Sequence, residues 1–131
     1  MSKIYMVTYG TEEWHHDIPI CAHNKKSLYN YIIEHLDTDK DIIDFFATLV
    51  QPNDDYDELE DIENELERIL LGYNGEDVTS TGSNFANYLK SKLSKKSYKW
   101  FFENLPIDIQ DCNGRSYYGR ISKIENIRYA K

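Results

Sequence analysis

The sequence predicts an α+β fold: a single sheet assembled from N-terminal and C-terminal hairpins, with about four to five helices between them. Three observations lead there. Both ends of the chain carry β-branched and aromatic runs separated by turn residues. The middle repeats apolar residues at three- and four-residue spacing. The 131 residues, 40 % of them hydrophobic and 14 % aromatic, suffice for one core, so residues 1–131 are read as a single compact domain.

The first strand is expected over Lys3–Tyr9 (KIYMVTY), a turn over Gly10–His16, and a second strand over Asp17–His23. Pro19 has no amide proton for a ladder, which places the second strand at a sheet edge. Asn24 is a suitable N-cap for a helix from about Lys25 to Leu36, with Leu28, Ile32, Ile33 and Leu36 on one face. His35 falls at the carbonyl end of that helix. Thr38-Asp39-Lys40-Asp41 reads as a capping box with Thr38 at the cap. It opens a second helix carrying Ile42, Ile43, Phe45, Phe46, Leu49 and Val50, apolar over most of its circumference and therefore central.

Pro52-Asn53-Asp54-Asp55 has turn composition. A third helix is expected after it, with Leu59, Ile62, Leu66, Ile69 and Leu70 as its apolar seam and Gly72 or Gly75 at its end. Residues Glu76–Ser83 read as a loop. Phe85, Tyr88, Leu89 and Leu93 mark a fourth helix, Ser94–Ser97 a joint, and Tyr98, Phe101, Phe102 and Leu105 a short fifth helix. After Pro106, Ile107–Asp111 alternates as a strand does. Asn113-Gly114 suggests a two-residue hairpin turn, with the chain returning over Tyr117–Tyr129.

Charge is polarised along this order. From Asp37 to Glu67 there are thirteen carboxylates and one lysine, Lys40, a local net charge of −12 in a chain whose total is −8. Residues Tyr88–Lys131 carry ten basic and four acidic side chains. The densest run is Asp54, Asp55, Asp57, Glu58, Glu60, Asp61, Glu63, Glu65 and Glu67, with no base among them. First-turn carboxylates complement a helix dipole, which explains the start of the run. Like charges four apart, as at Glu63 and Glu67, cost a helix about 0.2 to 0.5 kcal/mol per pair, so stability alone does not explain its end. Two explanations stay open: the acids face the chain's own basic C-terminal half, or they face a partner.

For a partner, a row of carboxylates imitates a phosphate backbone and suits a Lys/Arg-lined groove that ordinarily holds nucleic acid. In size, acidity and lack of a catalytic motif the chain resembles small acidic inhibitors encoded by phages and mobile elements, of the anti-CRISPR or anti-restriction type, and the immunity proteins that neutralise nuclease toxins. A bias toward Ile, Lys, Asn, Tyr and Asp, as in AT-rich coding sequences, fits such a source. The resemblance implies a non-enzymatic binding protein that inhibits a nucleic-acid-handling enzyme, with the nine acids as partner-binding residues. Its partner would be a nuclease or effector complex with a basic groove.

Other sites read more weakly. His15-His16-Asp17 with His23 offers metal-ligand types without a diagnostic spacing, and Asn53–Asp57 lacks the EF-hand spacing and its glycine. No HExxH, CxxC, GxSxG or phosphate-cradling motif occurs, so neither metal, cofactor nor enzymatic activity is expected. Lys95, Lys96, Lys99, Trp100, Arg115, Tyr117, Tyr118, Arg120 and Arg128 interleave cations and aromatics as single-stranded nucleic-acid binders do. An accessory protein using that basic aromatic hairpin is the alternative, disfavoured by the overall negative charge. Cys21 and Cys112 lie outside any paired motif and suit a reducing compartment. No secretory signal opens the chain, and no apolar run reaches the roughly 18 residues of a membrane span, so a cytoplasmic location is expected, in the host cell if phage-encoded.

Overall fold

The computed structural model describes residues 2–50, 62–73, 84–110 and 114–124. The fold is α+β, with element order β1 (Lys3–Thr11), β2 (His15–Ala22), α1 (Lys25–Glu34), α2 (Lys40–Val50), α3 (Glu65–Leu71), α4 (Asn84–Leu93), α5 (Tyr98–Asn104), β3 (Ile107–Gln110) and β4 (Ser116–Ile124). The four strands form one antiparallel sheet in the order β2-β1-β4-β3, so the two ends of the chain meet at the β1–β4 pair. Pro19 sits opposite Met6 on the edge strand β2, where its missing amide proton leaves no inner ladder unsatisfied.

The sheet buries one row of alternating residues. Tyr5, Val7 and Tyr9 of β1 and Ile107 and Ile109 of β3 are in the core. Central helix α2 lies over them, burying Ile42, Ile43 and every residue from Phe45 to Val50. It reaches the sheet because β4 offers Gly119: a Cβ there would stand 2.8 Å from Phe45 Cε2 and 2.9 Å from Leu49 Cδ1. Around α2 pack Leu28, Tyr29 and Ile32 of α1, Leu66 and Leu70 of α3, Phe85, Leu89 and Leu93 of α4, and Phe101 of α5. The buried Tyr29 hydroxyl donates to the Leu93 carbonyl, tying α1 to the end of α4.

Several expectations shift by local chemistry. The β1–β2 strands run further than expected and leave only residues 12–14 to turn, with Thr11 N–H donating to the Trp14 carbonyl at 2.7 Å. Asn24 caps α1 as expected, accepting from Ser27 N–H at 2.8 Å. The cap of α2 is Asp39 and not Thr38. The Asp39 carboxylate accepts from Asp41 N–H at 3.0 Å, and its carbonyl accepts from Ile43 N–H at 3.2 Å. A carboxylate outcompetes a neighbouring hydroxyl for an orphan amide, and Tyr31 donates to the other oxygen at 3.1 Å.

The third helix is shorter than the apolar seam implied. Asn64 is extended, at φ −102° and ψ 130°, and its side-chain oxygen accepts from Leu66 N–H at 2.7 Å and Glu67 N–H at 3.3 Å. The helix therefore starts at Glu65, and Ile62, although buried, precedes it. Leu59 lies outside the described residues, as does Asn113. The expected Asn113-Gly114 turn therefore falls partly outside the described residues; the last described β3–β4 pair is Gln110 with Ser116, and Gly114 takes a left-handed φ of +79°. β4 is described to Ile124, and the rest of the expected return to Tyr129 lies outside the described residues.

Candidate functional site

Of the nine acids singled out in the sequence, Asp54, Asp55, Asp57, Glu58, Glu60 and Asp61 lie outside the described residues. Glu63, Glu65 and Glu67 are placed, and they part company. Glu65, on the first turn of α3, turns toward the basic half of the chain. It accepts from Lys96 Nζ at 2.9 Å and from Trp100 Nε1 at 3.0 Å. These two hydrogen bonds hold its carboxyl below the usual carboxylate range. Lys96 also lies 5.0 Å above the Trp100 ring, so three groups form one exposed cluster. At this residue the acidic segment is neutralised from within.

Glu63 and Glu67 meet on another side, although Glu63 also lines a cleft with Glu65, Arg68 and Lys92. With Asp108 of β3, Glu63 and Glu67 line an open cleft of about 480 Å³ between the start of α3 and the end of the β3–β4 pair, completed by Ile62, Leu71, Ile109, Gln110 and Ser116. Among the described residues no lysine or arginine lines it. Glu67 is half-buried, and its carboxyl is pushed above the usual range, first by burial and then by the charges of Glu63 and Asp108. The cleft thus concentrates three carboxylates, two of which raise the cost of ionising Glu67, with no cation among its described lining residues.

The position of this cleft is fixed by Asn64. Besides capping α3, its amide nitrogen donates to the Asn104 carbonyl at 2.6 Å, anchoring the entry of α3 to the end of α5. Arg68 reaches back, donating from Nε to the Ile62 carbonyl at 3.1 Å. Those contacts hold Glu63 outside the helix and Glu67 in its first turn. Sequence reasoning missed Asp108 because nothing local marks it: its meeting with α3 depends on the sheet order. The signal for Asn64 was present, an Asx residue followed by acidic residues at the first and third helical positions.

The remaining candidates do not converge. His15 Nε2 stands 3.4 Å from Asp17 Oδ2, while the other Asp17 oxygen accepts from Thr8 Oγ1 at 2.8 Å. His16 packs between the rings of Tyr9 and Trp14, at 5.4 and 5.2 Å, and His23 is exposed. Among the described residues no three His, Cys, Asp or Glu side chains come together as a metal site would need. His35 does close α1, its backbone N–H bonding the Tyr31 carbonyl and its ring stacked on Tyr31 at 4.1 Å.

In the basic aromatic set, Lys96 and Trp100 are committed to Glu65 and Arg120 lies 4.7 Å over the Tyr118 ring. Tyr117 and Tyr118 are half-buried; Lys95, Lys99 and Arg115 are exposed. Arg128 and Cys112 are outside the described residues, and Cys21 is an exposed free thiol. Among the described residues no helix is long and apolar enough to cross a membrane. No family model matches the chain, and no curated protein or solved structure shows significant similarity to it.

Proposed function

We propose that this protein is a non-enzymatic acidic binding protein that occupies the basic, nucleic-acid-holding groove of another protein, such as a nuclease or effector complex, and so inhibits it. The observation that supports this reading is the division of the acidic segment. Glu65 is satisfied by Lys96 and Trp100, whereas Glu63, Glu67 and Asp108 share a cleft with no cation among its described lining residues. Keeping like charges together raises the cost of ionising Glu67. A partner's lysine or arginine in the cleft relieves that cost, so complementary charge here contributes to encounter rate and partner choice. The contact is therefore centred on Glu63, Glu67 and Asp108, with Glu65 acting inside the molecule.

The test is displacement of fluorescent duplex DNA from restriction and RNA-guided nucleases, read as inhibition and as loss of anisotropy. The wild-type protein displaces DNA at low salt and loses roughly tenfold or more in potency as salt is raised several-fold. The triple variant Glu63→Lys, Glu67→Lys, Asp108→Lys loses displacement, while Glu65→Gln keeps most of it. A nuclease inhibited equally by the wild type and the triple variant would remove the cleft from the interface.

A further inference from the structure

A second cavity lies away from the acidic cleft, between the start of α1 and the outer face of α5. It is about 230 Å³ in volume and is lined by Lys25, Tyr98, Lys99, Phe102 and Glu103. Tyr98 and Phe102 are half-buried, and Lys25 and Lys99 are exposed at its rim. Lys25 Nζ lies 5.4 Å from the centre of the Phe102 ring. Neither lysine forms an ion pair among the described residues, in contrast to Lys90, 3.8 Å from Asp37, and Lys96, 2.9 Å from Glu65. The cavity thus sets two exposed cations beside two aromatic rings, with Glu103 as its one acidic lining residue among those described.

The walls are held from behind. Phe101 lies in the core, its ring 5.0 Å from Tyr29 and set edge-on to Phe102 at 5.2 Å. Tyr29 of α1 thus packs on Phe101 of α5 while its hydroxyl holds the end of α4, which fixes α1 beside α5. An aromatic wall with exposed cations at its mouth suits a planar ring that carries an anion.

We propose that this cavity binds a nucleotide, with the base against Phe102 and Tyr98 and the phosphate held by Lys25 and Lys99. The ammonium over Phe102 makes a weak contact on a flexible stem, so it yields the ring face to a base and follows the phosphate instead. The volume is below the roughly 300 Å³ at which drug-sized pockets begin, so it accommodates the base alone and leaves sugar and phosphate outside. Glu103 at the same rim opposes additional phosphates, and one phosphate is favoured over three. A free mononucleotide and one residue of a single strand share this chemistry.

The experiment is a titration followed by amide resonances of the full chain at low salt, with AMP, ATP, a short oligodeoxyadenylate and a polyglutamate peptide as probes. The expected result is saturable shifts centred on Lys25, Tyr98, Lys99 and Phe102, with AMP at least as tight as ATP. Tighter binding of the oligonucleotide than of AMP identifies the strand as the source; equal affinity identifies the free nucleotide. Phe102→Leu weakens AMP roughly tenfold through lost stacking, and Lys25→Gln with Lys99→Gln, both surface changes, abolishes saturation. No shifts with AMP up to about 10 mM, a generous limit for so small a ligand, overturn the proposal. So do affinities unchanged in both variants, or polyglutamate binding as tightly as AMP.

Discussion

At the residue scale the fold depends on close approaches that only particular side chains permit, and Gly119 is the clearest. Paired with Tyr9 on one side and Ile107 on the other, it lies where the sheet meets Phe45 and Leu49. An added methyl would stand under 3 Å from two ring or methyl carbons of the central helix. Those atoms belong to fully packed residues with little room to retreat, so α2 must lift from the sheet. Gly119→Ala is expected to destabilise the protein by about 1 to 3 kcal/mol, the usual cost of overpacking a core. Chemical denaturation with the slope held free would check it, and a midpoint equal to that of wild type would show that α2 is not so tightly seated. Sequence alone does not reveal this role. Gly119 sits in a strand pattern where a glycine can equally mark a bulge, and only the packing distinguishes the two.

At the element scale α3 carries two acids of opposite titration behaviour, and the sign of each follows from its neighbours. Glu67 has its carboxyl pushed above the ordinary value of 4.5 by burial, Glu63 and Asp108. The folded state therefore binds its proton more tightly than the unfolded chain does. Its contribution is stabilising below the unfolded value and is lost as pH rises through the higher folded value. Glu65 is the reverse: held low by Lys96 and Trp100, it stabilises above 4.5, and that contribution fades as pH falls through its lower folded value. Glu67→Gln is expected to raise stability near pH 7 relative to wild type, with the gain vanishing below about pH 4. Glu65→Gln is expected to lower stability near pH 7, with the deficit vanishing at acid pH. Urea midpoints measured across that range decide it, and parallel profiles for the two variants would refute the division of the acidic segment.

Much of this element structure was legible and some was not, for reasons that differ. Asn24 and the seams of α1, α2, α4 and α5 announce themselves through local pattern, because cap and helix lie within a few residues of each other. Ser97, read only as part of a joint, caps α5 by accepting from Trp100 N–H. At α3 the apolar spacing from Leu59 to Leu70 favours one long helix, but Asn64 takes two amides with its side chain and donates to Asn104 forty residues away. A tertiary hydrogen bond thus overrides a local period. The choice of Asp39 over Thr38 has the same origin, since Tyr31 on the preceding helix holds the carboxylate in place. The acidic site was legible as composition only. Which acids face inward depends on Lys96, Trp100 and Asp108, all contributed from later in the chain.

At the scale of the whole molecule, folding reunites charge separated along the sequence in two lysine–carboxylate pairs among the described residues. Lys96 meets Glu65 and Lys90 meets Asp37, both near the surface, where such pairs contribute a median of about 0 to 1 kcal/mol. Against these stand a net charge of −8 and a cleft in which Glu63, Glu67 and Asp108 repel one another. Repulsion across the molecule acts over longer distances than an ion pair and is therefore screened first as salt rises. Stability is consequently expected to increase with ionic strength at pH 7, by an amount on the order of 0.5 kcal/mol between low salt and about 0.5 M sodium chloride. Potassium chloride must give the same increment if screening is the cause. The variant Glu63→Gln, Glu67→Gln should be more stable than wild type at low salt and should lose most of the increment, because it lacks the closest like charges. A protein whose stability falls with salt would instead be held together by its ion pairs, and the acidic segment would then be part of the scaffold rather than a surface kept for a partner.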